Sequence, residues 1–219
     1  LPGWQAIYQQ LHDKNFEIVS AAQDTNGVKD AGPWITAASP TYTALIDDKH
    51  LVTTLYNMVN VPTGVWIDEN GKIVRPNEVA FVDDRFKNFS GLDSAPYLNA
   101  LRDWVEKGSQ SVYVMSPARL REKLTVNDPD ILLAEVEFAL GEHLYKSGHL
   151  SEAIPHFKDA QRLNPKNWNY KRQAYALSDA QRDYGTTFIN EVQKAGGSKV
   201  YYTPPDLAPT TSPNHKHPN

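Results

Sequence analysis

Asn60-Val61-Pro62-Thr63-Gly64-Val65-Trp66-Ile67-Asp68-Glu69-Asn70-Gly71-Lys72-Ile73-Val74-Arg75-Pro76 is the stretch on which the fold turns. Val65, Trp66 and Ile67 are apolar and favour extended backbone, which predicts a buried strand. Asn70-Gly71 predicts a two-residue hairpin turn of type I′, because both central residues there must adopt positive φ. Lys72-Ile73-Val74 then returns as the antiparallel partner, and Pro76, which has no N–H to donate, is expected to end the pairing. Leu51 to Val59 before the stretch reads as a short helix.

Working outward, Trp4, Ile7, Tyr8 and Leu11 recur at helical spacing, so the chain opens on an amphipathic helix. Phe16 to Asp24 reads as a strand, Ala31 to Ala38 as a short helix with a proline near its first turn, and Pro40 to Asp47 as the next strand. Asn77 to Gly91 has no clear period and is expected to be a loop. Ser94 to Lys107 is a helix, capped by Ser94 or Asp93, with Tyr97, Leu98, Leu101, Trp104 and Val105 on one face. The five tryptophans fall one per element, which is core-like usage.

This β-α-β-α-β-β order, with Val-Pro before the strand and Asn-Gly after it, resembles the thioredoxin fold of the TlpA/ResA and AhpC/TSA kind. The opening pattern, Leu1-Pro2, then Tyr8, Leu11, a polar turn and Phe16-Glu17-Ile18-Val19, resembles the segment just after the Cys-x-x-Cys motif of that family. The resemblance implies that Pro62 is cis; the alternative is a trans proline that only starts a strand. It also implies a chain beginning just after the redox site and lacking the central strand before it. Ile18 and Val19 would then stand unpaired with Val65 to Ile67, exposing apolar surface and open strand edges. Leu1 to Gln5 has the form of neither a signal peptide nor a natural start.

Beyond a linker at 108–114 the chain is expected to be helical. Leu140, Gly141, Gly148, Ala153, Phe157, Ala160 and Pro165 stand at the spacings of a 34-residue tetratricopeptide repeat. Small residues would let its two helices approach, with Phe157 filling the space between them. One repeat cannot bury its own faces, and helices near Ile131 to Leu133 and Trp168 to Leu177 are its expected neighbours. A further helix runs near Thr187 to Ala195 and stops at Gly196-Gly197. The expected organisation is therefore a thioredoxin-like α/β domain over 1–108 without its first central strand, an all-α TPR-like domain over 109–197, and a flexible tail over 198–219.

The 219 residues include no cysteine, which excludes thiol chemistry, disulfides and thiolate metal sites by this chain alone. Hydrophobic residues make up 40% and charged ones 22%, and the net charge of −4 comes without a basic block, so no nucleic-acid partner is expected. No apolar run is long enough to span a bilayer. His143, His149 and His156 fall at spacings of six and seven with no HExxH-type pair, so no metal is expected there. His215 and His217 form a His-x-His in the tail that would hold a transition metal only weakly. Asp47-Asp48 and Asp83-Asp84 read as solvated caps in preference to an acid/base pair or a calcium site.

No catalytic residue and no cofactor follow from this pattern. By resemblance, the expected site is a peptide-binding edge at Val61, Pro62 and Thr63, where the family pairs an extended peptide beside the proline, and this needs no cysteine. The expected function is a non-catalytic protein- or peptide-binding module. The alternative is the C-terminal part of a thiol-disulfide oxidoreductase or peroxidase whose Cys-x-x-Cys lies upstream of Leu1. Expected partners are a peptide or protein at the Val61-Pro62 edge or the helical hairpin, with homo-oligomers possible through open strand edges. A periplasmic or other extracytoplasmic location rests on the resemblance alone.

Overall fold

A computed structural model describes residues 1–125 and 128–208. The α/β part runs α1 (Pro2–Leu11), β1 (Val19–Gln23), α2 (Val28–Ala38), β2 (Thr43–Asp47), α3 (Leu51–Leu55), β3 (Thr63–Ile67), β4 (Ile73–Val79), α4 (Lys87–Ser90) and α5 (Ala95–Lys107). The helical part continues α6 (Pro117–Leu124), α7 (Pro129–Lys146), α8 (Leu150–Leu163), α9 (Trp168–Ala176), α10 (Ala180–Tyr184), α11 (Phe188–Lys194) and α12 (Ser198–Tyr201). A mixed α/β region followed by an all-α region is the layout expected from the sequence.

The strands form two separate ribbons. β1 lies parallel to β2, with Val19 opposite Thr43, and β3 lies antiparallel to β4, with Thr63 opposite Val79. Among the described residues no ladder joins β1 to β3. β4 does not stop at Pro76 as its missing N–H predicts. Its register slips between Gly64 and Trp66, so Pro76 falls at the irregularity, where a proline is tolerated, and pairing resumes to Val79. The turn before β4 also differs from type I′. Only Gly71 has positive φ, the Asp68 carbonyl accepts from Gly71 N–H at 2.9 Å, and Asp68 N–H donates to the Lys72 carbonyl at 2.8 Å. This is a three-residue loop, fixed by the Asp68 carboxylate, which accepts from Asn70 and Lys72 N–H at 2.9 Å each.

The α/β core gathers Ile7 and Leu11 of α1, Trp66, Val74, Ala80, and Tyr97, Ala100 and Leu101 of α5. Trp66 is its centre: it stacks on Trp104 at 5.0 Å, meets Tyr97 edge-on, and donates from Nε1 to the Tyr97 hydroxyl at 3.0 Å. Trp34 departs from the core-like expectation and is 76% exposed. The β1–β2 ribbon is only two strands wide, so α2 covers it with its Ala31 side and turns Trp34 outward.

α7 and α8 form a close hairpin whose core is Ala134, Phe138, Ala153, Phe157 and Ala160, extended by Tyr170, Ala174 and Leu177. A Cβ at Gly141 would lie 2.7 Å from the Phe157 ring, so only glycine admits that ring at that depth. The tail is not free from Ser198. Tyr201 and Tyr202 are buried with Phe81, Trp168 and Val192, and Asp206 meets Arg75 and Arg119. Two aromatics and one carboxylate outweigh the polar composition around them. Residues 209–219, and with them His215 and His217, lie outside the described residues.

Candidate functional site

Between β1 and β3 lies a cleft of about 560 Å³, lined by Val19 to Ala21 on one side and by Val61 to Ile67 on the other. Its remaining lining is mainly apolar: Trp4, Tyr97, Leu101 and Trp104 from the core side, and Val52, Tyr56 and Met58 opposite. β1 and β3 each have one ladder partner, so each turns an unpaired edge of N–H and C=O groups to this space. Val19 is 63% exposed and Ile67 41% exposed at the cleft, whereas Ile18, expected to be exposed with Val19, also lines the cleft but is buried.

Val61, Pro62 and Thr63 all line the cleft and are half-buried. The Val61–Pro62 bond is cis. Several bonds hold this corner. Asn60 accepts from Val61 N–H at 2.8 Å, Pro62 accepts from Ala80 N–H at 3.2 Å, and Thr63 donates to the Glu78 carbonyl at 2.9 Å. From the helical region, Trp168 N–H donates to the Val59 carbonyl at 2.7 Å, Asn169 donates to Met58 at 2.8 Å, and Arg172 reaches Asn60 and the Tyr201 hydroxyl. The edge is therefore braced from behind by α9 and α12. Burial pushes the Tyr97 phenol beside the cleft up to about 12.

A second hollow of about 30 Å³ lies beside His50, where α7 meets the loops after β1 and β2. Thr25 donates to Glu142 at 2.5 Å, His50 Nε2 lies 3.2 Å from both Thr25 and Glu142, and Thr25 N–H donates to Gln173 at 3.2 Å. All four are buried, and His50 Nδ1 faces no described partner. A volume of that size holds a single water, so this cluster is a polar junction between the regions. Sequence spacing had no means of finding it, because the four residues come from four distant segments.

The remaining polar candidates have local roles. Asp47 accepts from Leu51 and Val52 N–H at the start of α3, Asp48 pairs with Lys146, Asp83 with Arg85, and Asp84 accepts from Ser94. The Lys146 ammonium holds the Asp48 carboxyl below the usual range, and Arg85 does the same for Asp83. His156 pairs with Glu137 across the hairpin, and His149, the residue before α8, pairs with Glu152 in its first turn. Among the described residues no three His, Asp or Glu side chains converge on a metal-sized space, and no helix is long and apolar enough to cross a membrane. Comparison with family models, with curated proteins and with solved structures finds no match to this chain.

Proposed function

We propose that this chain is a non-catalytic binding module that takes an extended polypeptide segment into the cleft between β1 and β3. The observation that supports it is the pairing of an apolar hollow with two unpaired strand edges. A strand placed there can hydrogen-bond on both sides while its side chains bury apolar area. The cleft volume lies within the roughly 300–1,000 Å³ usual for binding sites. Among the described residues Glu17 is the sole charged side chain in its lining, so the favoured segment is uncharged and rich in Val, Ile or aromatic residues. Val61, Pro62 and Thr63 form the corner past which that segment runs. With no cysteine in the chain, the module does no thiol exchange itself.

In this proposal the α/β region is a TlpA/ResA-like thioredoxin fold, the hairpin α7–α8 is a tetratricopeptide-like unit, and the location is extracytoplasmic. Leu1 favours a second role, because it lines the cleft itself. A strand of the same polypeptide joined to Leu1 would enter the cleft directly, and a Cys-x-x-Cys there would make the whole a thiol-disulfide oxidoreductase.

Titration with a six-residue uncharged β-branched peptide, followed by tryptophan fluorescence, tests the first role. Saturable binding that Val65→Pro abolishes is expected. No binding at millimolar peptide, together with no binding of a dye that reports exposed apolar surface, overturns it. Intact mass and N-terminal sequencing of the protein from its source, with insulin-disulfide reduction, test the second.

A further inference from the structure

The hairpin closes one side of α7 and leaves another bare. Leu132 is 57% exposed, Leu133 47%, Val136 62% and Leu140 40%. They stand at spacings of three, four, seven and eight, so they form one stripe on the helix, about 12 Å long. Ala139, also exposed, lies within the stripe, and Glu137 is turned away to His156. Solenoid repeats require a polar outer face where stacking stops, and this face is apolar.

The charges at its ends are arranged with a sign. Asp128 caps the helix and Asp130 lies in the first turn, whereas His143 and Lys146 lie in the last turn. Lys146 already serves Asp48, and His143 is exposed. A second α7 laid antiparallel across the stripe sets the acidic end of each helix beside the basic end of the other and opposes the two helix dipoles. The centre of such a pair falls at Val136, which places Leu132 of one copy beside Leu140 of the other and Leu133 beside Ala139. The stripe is thus self-complementary along its length, and its ends set the Asp128 and Asp130 carboxylates of one copy near the His143 imidazole of the other, as a two-fold interface allows.

We infer that the exposed stripe of α7 is a homodimer interface, formed by two antiparallel copies of α7 meeting about Val136. A stripe about 12 Å long is short beside standard interfaces of roughly 800 Å² per partner, so a weak dimer is expected. It is independent of the cleft.

Because the chain has no cysteine, a single introduced thiol reports this contact alone. Val136→Cys is expected to give an intermolecular disulfide in high yield on mild oxidation, whereas Glu152→Cys on the exposed side of α8 is not. Sedimentation velocity from 1 to 300 μM should show a concentration-dependent dimer, weakened at least tenfold by Val136→Glu, with far-UV circular dichroism confirming that the variant folds. A wild-type protein that stays monomeric throughout overturns the inference. So does a dimer that survives Val136→Glu, or one abolished instead by Val19→Glu at the cleft.

Discussion

The helical hairpin and the α/β region handle the same problem in opposite ways. In α7–α8, Phe157 is fully enclosed by residues from one short stretch of chain, and the glycine that admits it lies sixteen positions away. In the α/β region, β1 and β3 lie some forty residues apart in sequence and face each other across open space. Helix pairs complete their backbone hydrogen bonds internally and need only a side-chain seam. Strands need a neighbour on each edge, so a gap in a sheet leaves backbone groups and apolar surface free together. The closed region buries its apolar surface within itself, and the open one leaves the edge on which the proposed binding role rests.

This contrast predicts a large asymmetry in mutational response. Phe157→Ala should destabilise by about 3–5 kcal/mol, since the ring is fully buried and α7 and α8 cannot collapse onto the hole without shifting as bodies. Ile67→Ala, on the cleft edge and 41% exposed, should change stability by less than about 1 kcal/mol. Urea unfolding measures both. Equal losses would mean that the cleft is already filled or that the hairpin is loosely packed, and the contrast would fail.

Alkaline titration probes the two regions next. Burial raises the phenols of Tyr97 in the α/β core, and of Tyr175 and Tyr184 in the helical part, to about 12. Each keeps its proton when folded and loses it near pH 10 when unfolded. Stability from these groups is therefore complete below pH 10 and falls between pH 10 and 12, by about 1.4 kcal/mol per pH unit for fully buried Tyr97. Phenolate absorbance should rise together with unfolding, and Tyr97→Phe should flatten part of the slope. Phenolate that appears at pH 10 in folded protein and is lost in Tyr97→Phe would show that water reaches Tyr97 through the cleft.

Elements were legible wherever pattern and chemistry were local. Trp4, Ile7, Tyr8 and Leu11 announce α1; Tyr97, Leu101 and Trp104 announce α5; and Gly141 with Phe157 announces the hairpin. Val61, Pro62 and Thr63, expected by resemblance to form a peptide-binding edge, all line the cleft. What stayed hidden depended on register or on distant partners. Pro76 continues a strand because Trp66 shifts the ladder, which no single-residue rule foresees. Tyr201 and Asp206 are held by Trp168 and Arg119, so a polar-looking tail packs. The Thr25–His50–Glu142–Gln173 junction unites four segments, none of them a motif by itself.

That junction ties the closed region to the open one, and its removal is the next smaller test. Glu142→Leu takes away the acceptor for the Thr25 hydroxyl and the partner of His50 Nε2, leaving both buried groups short of a bond. A loss of about 1–3 kcal/mol is expected. Hydrogen exchange should then quicken in β1 and β2 before it quickens in α7 and α8. Uniform quickening would indicate that the two regions unfold only together.

Gly64 gives the smallest and most local test. Its absent Cβ would lie 2.8 Å from the Tyr97 hydroxyl and 3.3 Å from the Ala80 methyl. Tyr97 cannot retreat freely, because its hydroxyl accepts from Trp66 and its ring packs against Trp4 and Trp66. Gly64→Ala should therefore push β3 toward the cleft and destabilise by about 1–2 kcal/mol. Tyr97→Phe removes the colliding oxygen, so Gly64→Ala should be much milder in that background, and a double-mutant cycle should give a coupling of about 0.5 kcal/mol or more. Because β3 yields into open space, a strand bound in the cleft should make Gly64→Ala more damaging than it is in the free protein. A substitution whose effect did not change with ligand would mean that β3 is rigid without a neighbour, and that the open edge is no weaker than the closed hairpin.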